Sequence, residues 1–402
     1  MPPLSRRAFL SRSAFGLCGL PLLQSRSDAA QEADAHRLIG FTRLRVNLPG
    51  GRHVNQYTSE ACLIRADGSG FRRLLPEFGA RPFSWTQFAG WSPDGKQAIV
   101  ACGWEDPRNG LWEEEHQTFR MTEGWRHDVG LLDLESGRYR NLTAVERVSD
   151  YNAGLYFWPN DPNRFGFEAL INGISHPHRM DRDGRNKVDL SSGAEGFTYG
   201  SNASPDGRRI AYHKDYKIHL ANADGSEARV IETGNPFNFA PKWSPDGEWL
   251  LFVSGEHYAC HPHIVRPDGS NLRKIADRRG HRGVVTVLDV PDYHGGSSDI
   301  PVWAPDGKHI YFTAKFGGSV ELMRVSVEGK QERLTFSDRP GILHYHPQVS
   351  PDGEWVLFGS NRSGRRQIHR MRTGGGKVFQ VTQVPEGWGA MWGHWRPGVT
   401  YS

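Results

Sequence analysis

Histidine is the residue type in this chain with the most chemistry to offer, and several of its 18 copies fall at strand starts rather than at random. The sharpest case is His344-Tyr345-His346-Pro347-Gln348. In an extended strand side chains alternate, so His344, His346 and Gln348 share one face with imidazoles about 7 Å apart along the backbone, near enough to hold one divalent ion. Upstream, Asp292-Tyr293-His294-Gly295-Gly296-Ser297-Ser298-Asp299 is rich in small residues that let His294 approach the same strand. Together His294, His344 and His346 would give three imidazole ligands with positions left open for water or a substrate oxygen, Gln348 adding a fourth donor. The alternative is that these imidazoles only hydrogen-bond water in a channel. A proton-abstracting base is offered by Gly255-Glu256-His257-Tyr258-Ala259-Cys260-His261-Pro262-His263, because imidazole accepts protons at neutral pH. His261-Pro262-His263 is echoed by His176-Pro177-His178, each leading into an Asp-Gly turn, which marks a structural repeat. His257 has no such echo and is the preferred base, with His261 second.

The elements that would position these groups are set by turns. Pro-Asp-Gly or Pro-Asn-Asp reversals recur at Pro93, Pro159, Pro205, Pro245, Pro305 and Pro351. Proline presets φ, Asp caps its own backbone and Gly takes φ > 0, so each makes a tight hairpin between strands. Second reversals at Asp183-Gly184, Asp224-Gly225, Asp268-Gly269 and Glu328-Gly329 complete a four-stranded antiparallel unit of roughly 40 to 50 residues, the period of a propeller blade. The pattern predicts an all-β, seven-bladed β-propeller. Ala61-Cys62-Leu63-Ile64 reads as a third strand lacking its predecessors and Trp392-Gly393-His394-Trp395 as a first strand lacking successors, so the N- and C-terminal strands close one blade and remove an exposed edge. Two overlong spacings predict insertions at 103–128 and 278–299, emerging from the face where function concentrates.

The net charge of +4, with both signs interspersed, contains no basic stripe and predicts no nucleic-acid partner. Ser5-Arg6-Arg7-Ala8-Phe9-Leu10 followed by an apolar stretch too short to span a bilayer matches a twin-arginine export signal. The expected organisation is therefore a signal peptide at 1–30 and a propeller at 31–402, located in the periplasm or secreted, with no permanent membrane span. Cys62, Cys102 and Cys260 are an odd set without paired spacing and read as buried thiols. Trp91, Trp158, Trp243 and Trp303 share one place in the repeat and are expected between blades. In the first insertion Trp104, Trp112, Phe119 and Trp125 alternate with acidic residues, fitting either a sugar-stacking loop or a lid. Lys214, Lys217, Lys242 and Lys315 are candidate carboxylate binders near the mouth, with a solvated surface as the ordinary reading.

The Trp-Ser-Pro-Asp-Gly repeats, with Arg266-Pro267-Asp268-Gly269-Ser270-Asn271-Leu272, resemble TolB-type propeller repeats, which serve binding proteins and enzymes alike. The order of histidines narrows this. It resembles the oligogalacturonate lyases, seven-bladed propellers that use a divalent metal, typically manganese. The resemblance implies His344 and His346 as metal ligands, His294 as the upstream metal histidine and His257 as the base. Two positions depart from that pattern: Gly341 stands where the family has a glutamine ligand, and the family's upstream histidine directly precedes the run that here reads Ile300-Pro301-Val302-Trp303. The implied function is metal-dependent β-elimination on uronic-acid-containing oligosaccharides by a monomer or weak oligomer. The competing class is a non-enzymatic TolB-like periplasmic propeller that docks a protein or glycan. A serine peptidase is disfavoured, because no Gly-x-Ser-x-Gly elbow is present.

Overall fold

The computed structural model describes residues 37–45, 59–81, 84–116, 125–145, 147–148, 155–171, 174–191, 196, 198–257, 259–283 and 299–398. The expected signal peptide lies outside them. Seven four-stranded antiparallel blades follow one another, and in six of them the strands run outward in chain order. Blade one takes its first strand, Trp388–Trp395, from the end of the chain and its second, third and fourth from Leu38–Arg45, Ser59–Arg65 and Arg72–Arg73. The predicted closure by terminal strands is therefore present. Blades two and three are joined by the short strand Arg147–Val148, which pairs parallel with Trp125–Asp133 and antiparallel with Arg164–Ile171.

The Pro-Asp-Gly turns make the hairpins as expected. In blade five Gly247 N donates to the Ser244 carbonyl at 2.9 Å, Glu248 N to Asp246 Oδ1 at 3.0 Å, and Gly247 sits at φ 73°. Because these turns join first to second strands, antiparallel pairing puts every second-to-third and every blade-to-blade connection on the opposite face. Both insertions fall there: the first carries the helix Pro107–His116, and the second links Arg273–Lys274 to Val302–Trp303.

The core is distributed between blades. Each neighbouring pair shares an apolar cluster, such as Leu251, Ile264, Ile310 and Phe312 between blades five and six, or Ile39, Phe41, Trp355, Leu357 and Trp395 where blade seven meets blade one. The repeated tryptophans stand at these seams: Trp91, Trp158 and Trp303 donate Nε1 hydrogen bonds to the carbonyls of His394, Gly207 and Lys242 in adjacent blades. Cys62, Cys102 and Cys260 are free and buried, and burial pushes their thiols up to about 12, 12 and 11. Among the described residues no helix is long and apolar enough to cross a membrane.

Candidate functional site

The first strands, which line the axis, are broken by bulges at a fixed place. The register shifts between Tyr199 and Asn202, Phe239 and Lys242, and Tyr345 and Gln348. The residue at the break has positive φ: Gly200 at 73°, Ala240 at 51°, His346 at 50° and, in blade one, Trp392 at 50°. Glycine is the natural occupant of this conformation, and another side chain there costs on the order of 1 kcal/mol or more. His346 therefore occupies a position where an imidazole is conformationally disfavoured.

A bulge frees backbone N–H groups that must find partners. The preceding blade's second strand supplies them. Thr42 Oγ1 accepts from Phe88 N at 3.0 Å, Glu168 from Gly200 N and Ser201 N at 2.8 and 2.7 Å, and His213 Nδ1 from Ala240 N at 3.2 Å. The strand registers make these side chains equivalent, and Thr313 is their counterpart facing blade seven. There the pattern changes. His346 N donates to Asp299 Oδ1 at 2.9 Å, while the Thr313 hydroxyl donates to Asp299 Oδ2. A carboxylate has been inserted between the ordinary cap and the bulge, and it has capacity to spare.

That capacity is used by His281, whose Nε2 lies 3.2 Å from Asp299 Oδ2. Asp299 is 1 % exposed. Burial works to raise its pKa, but the His281 hydrogen bond, the Arg278 guanidinium and the nearby imidazoles carry the carboxyl well below the usual carboxylate range. An ionised Asp299 beside Nε2 favours the tautomer that carries its proton there and keeps the lone pair on Nδ1. Nδ1 has no protein partner among the described residues, and the side chain keeps 11 % of its surface exposed. The arrangement is an oriented imidazole with one open nitrogen. Arg278 backs it: its Nη2 donates to the Asp299 carbonyl at 2.5 Å, and its buried Nε and Nη1 have no partner among the described residues.

Of the sequence candidates, His346 meets this dyad through its backbone N–H. His346 is half-buried and stacked on Trp392 at 5.8 Å, and burial, with the His346 imidazole nearby, holds His394 down at about 4. His344 is 2 % exposed, with Nε2 3.4 Å from Glu321 Oε2 and its ring edge-on to Phe358. The expected unbroken alternation of His344, His346 and Gln348 is corrected by the bulge, which turns the backbone at His346. His294 lies outside the described residues. Among the described residues no three His, Cys, Asp or Glu side chains converge as a metal would require.

His257 is exposed at the tip of blade five's second hairpin and stacks on Phe237 at 5.0 Å. His261 carries a structural load. Asp128, Glu321 and Gln367 hold equivalent places in third strands, and each accepts a backbone N–H from the outgoing connection, of Val145, Ser337 and Val384. His261 Nδ1 does the same for Arg278 N at 3.1 Å. The repeat reading holds for the second histidine of each His-Pro-His, since His178 and His263 both contact the preceding histidine carbonyl at 2.9 Å and stack on Phe167 and Phe252. In the first insertion Trp112 stacks on His116 at 4.1 Å and Trp104 is exposed; Phe119 lies outside the described residues.

Lys242 lies in blade five's first strand rather than on a solvated surface loop, and burial pushes its ammonium down. Glu168 is its counterpart: burial pushes the carboxyl up from 4.5 to about 7, against the two backbone donors and Lys242. A folded-state pKa above the unfolded value contributes stability that is present at low pH and lost as pH rises through 7. Glu168→Gln is expected to remove a decline on the order of 3 kcal/mol between those two values, read from urea midpoints across pH.

No family model matches the chain. An uncharacterised protein of Agrobacterium fabrum is 26% identical over 215 residues, 45% of this chain and 68% of its own length. The Tol-Pal system protein TolB of Bordetella pertussis is 28% identical over 172 residues, covering 42% of this chain and 35% of TolB. The chain thus spans about a third of that relative's length. Among solved structures, an oligogalacturonate lyase in complex with manganese superposes with a TM-score of 0.54 at 14% identity, over 86% of this chain and 88% of that one. The β-propeller domain of the Trilobed protease from Pyrococcus furiosus gives 0.52 at 15% identity, over 86% and 92%. The propeller architecture is shared with both, as the repeat resemblance implied.

Proposed function

We propose that the chain is a polysaccharide lyase that cleaves uronic-acid-containing oligosaccharides by β-elimination, with His281 as the base. The observation that carries this reading is the His281–Asp299 dyad with its open Nδ1, placed beside the strained bulge at His346. The reading is further supported by the order of histidines and by the insertions gathered on the same face.

In this mechanism Nδ1 of His281 takes the proton from C5 of the uronide, next to the carboxylate. The C5–H electron pair forms the C4=C5 double bond as the C4–O bond breaks, and the leaving glycosidic oxygen is protonated from solvent. No water is consumed overall. Asp299 stabilises the imidazolium that forms, which is worth most in a water-poor setting. His257, exposed on the same face, is the alternative base.

Manganese is the cofactor implied by the resemblance, but the described ligand set does not fit it: His344 is engaged with Glu321 and the alternation is broken. Stoichiometric manganese in purified protein, lost in His346→Ala, would restore a metal to the site with His294 as a further ligand.

The test is ultraviolet absorbance of the conjugated product on incubation with oligogalacturonides, with and without manganese. Turnover that survives His257→Ala and disappears in His281→Ala is expected. Silence across several uronide polymers removes the lyase reading and favours the docking propeller.

A further inference from the structure

On the face that carries His281, side chains of blade six form a ladder of alternating cations and rings. Arg279, two residues before His281, places its guanidinium carbon 4.3 Å from the Phe316 ring centroid. On the same ring lies Arg333, at 4.5 Å, and Arg333 is 4.6 Å from Phe336. Phe316 ends blade six's second strand and Phe336 follows its fourth, so both stand opposite the Pro-Asp-Gly turns.

The inner rung is structural. Arg333 is satisfied by Glu321 at 3.0 Å and the Thr335 carbonyl at 2.8 Å, and it locks the two rings in place. The ends are different. Phe336 is 72% exposed, more than any other large hydrophobic side chain among the described residues. Arg279 is exposed, and its guanidinium has no carboxylate partner among the described residues. Arg339 on a neighbouring loop likewise directs its guanidinium to a neutral group, the Arg362 carbonyl at 2.9 Å. A bare ring held rigid by a cation, ending a row that begins with an unneutralised guanidinium, suits a ligand that alternates apolar ring faces with carboxylates.

We propose that this ladder is a binding subsite for an acidic oligosaccharide, in which one unit's carboxylate meets Arg279 beside the dyad and the pyranose face of a unit farther along stacks on Phe336. It rests on the lyase reading of the same face and adds the direction in which the chain of sugars runs, outward over blade six.

The test is calorimetric binding of saturated oligogalacturonides to the full-length His281→Ala protein, which does not turn them over. Phe336→Ala is expected to weaken a hexamer about 5- to 20-fold and leave a dimer unchanged, because one stacking contact is lost only by ligands long enough to reach it. Arg279→Gln is expected to weaken both and to flatten the salt dependence of binding, with a fully methyl-esterified hexamer indifferent to it. Phe336→Tyr should restore the hexamer, separating stacking from misfolding. Equal hexamer affinity in the His281→Ala protein with and without Phe336→Ala overturns the subsite even if the wild-type protein carries out elimination. Hexamer binding with this length and charge dependence, but without elimination in the wild-type protein, upholds the subsite and removes the lyase.

Discussion

Asp299→Asn is expected to lower kcat for uronide elimination by about 10²- to 10⁴-fold with little change in substrate binding. The amide keeps the shape of the carboxylate, and its oxygen still accepts from His346 N, so the bulge in blade seven survives. What is lost is the charge that fixes the proton of His281 on Nε2 and opposes the imidazolium on protonation. An Asn nitrogen facing Nε2 favours the opposite tautomer, with the lone pair turned away from the substrate. The effect should fall on kcat, since Asp299 is buried behind the imidazole and touches no ligand. Stability separates this role from a scaffold role. Asp299 has a depressed folded-state pKa, so its contribution is complete above the ordinary carboxylate pKa and is lost as pH falls through the folded value. The variant should therefore show a shallower acid limb in its unfolding curve while its neutral-pH fold remains intact. An Asp299→Asn enzyme with wild-type kcat would remove the dyad from the mechanism.

The architecture was legible in the sequence because the information that makes a propeller is local. Each Pro-Asp-Gly turn carries its own φ preferences and Asx bonds, and the period between turns follows directly. The inter-blade place of Trp91, Trp158 and Trp303 was legible for the same reason: a repeat puts equivalent residues in equivalent environments. The dyad was not legible, although both of its members lie within the insertion that the spacing marked. His281 and Asp299 meet across a loop, and their significance depends on the Thr313 cap that Asp299 displaces and on the bulge at His346. A bulge leaves only a faint mark in sequence when the residue at positive φ is histidine or alanine rather than glycine. The same bulge undid the alternation argument for His344, His346 and Gln348, which assumes an unbroken pleat. The spacing of a histidine such as His261 likewise cannot show that its Nδ1 is occupied by a backbone N–H of the next connection.

Truncation before Trp388 is expected to leave a chain that does not fold to a monodisperse monomer. The strand Trp388–Trp395 is the first strand of blade one and lies against Leu38–Arg45. Without it blade one has no wall on the axis, and the row of donors and acceptors on the Leu38–Arg45 edge becomes a template for association. The loss also opens two seams. Ala390 and Trp395 belong to the cluster shared with blade seven, and the His394 carbonyl accepts the Trp91 indole N–H at 3.1 Å on the side of blade two. Deleting one large buried aromatic side chain costs about 3–5 kcal/mol, against a total of roughly 5–15 kcal/mol for a folded domain. Trp395→Ala alone should therefore lower the melting temperature yet leave a folded protein. Removing the whole strand takes Ala390, Met391 and Trp395 together with a ladder of backbone bonds, which exceeds what the remaining six blades can supply at this seam. Size-exclusion chromatography and thermal melting of the two variants check the ordering. A synthetic peptide spanning 388–402, added in trans, should recover the monomer and part of the melting transition, because the missing strand is continuous and enters the sheet at an open edge. A truncated chain that melts like the full protein would mean that the ring is closed by contacts other than this strand.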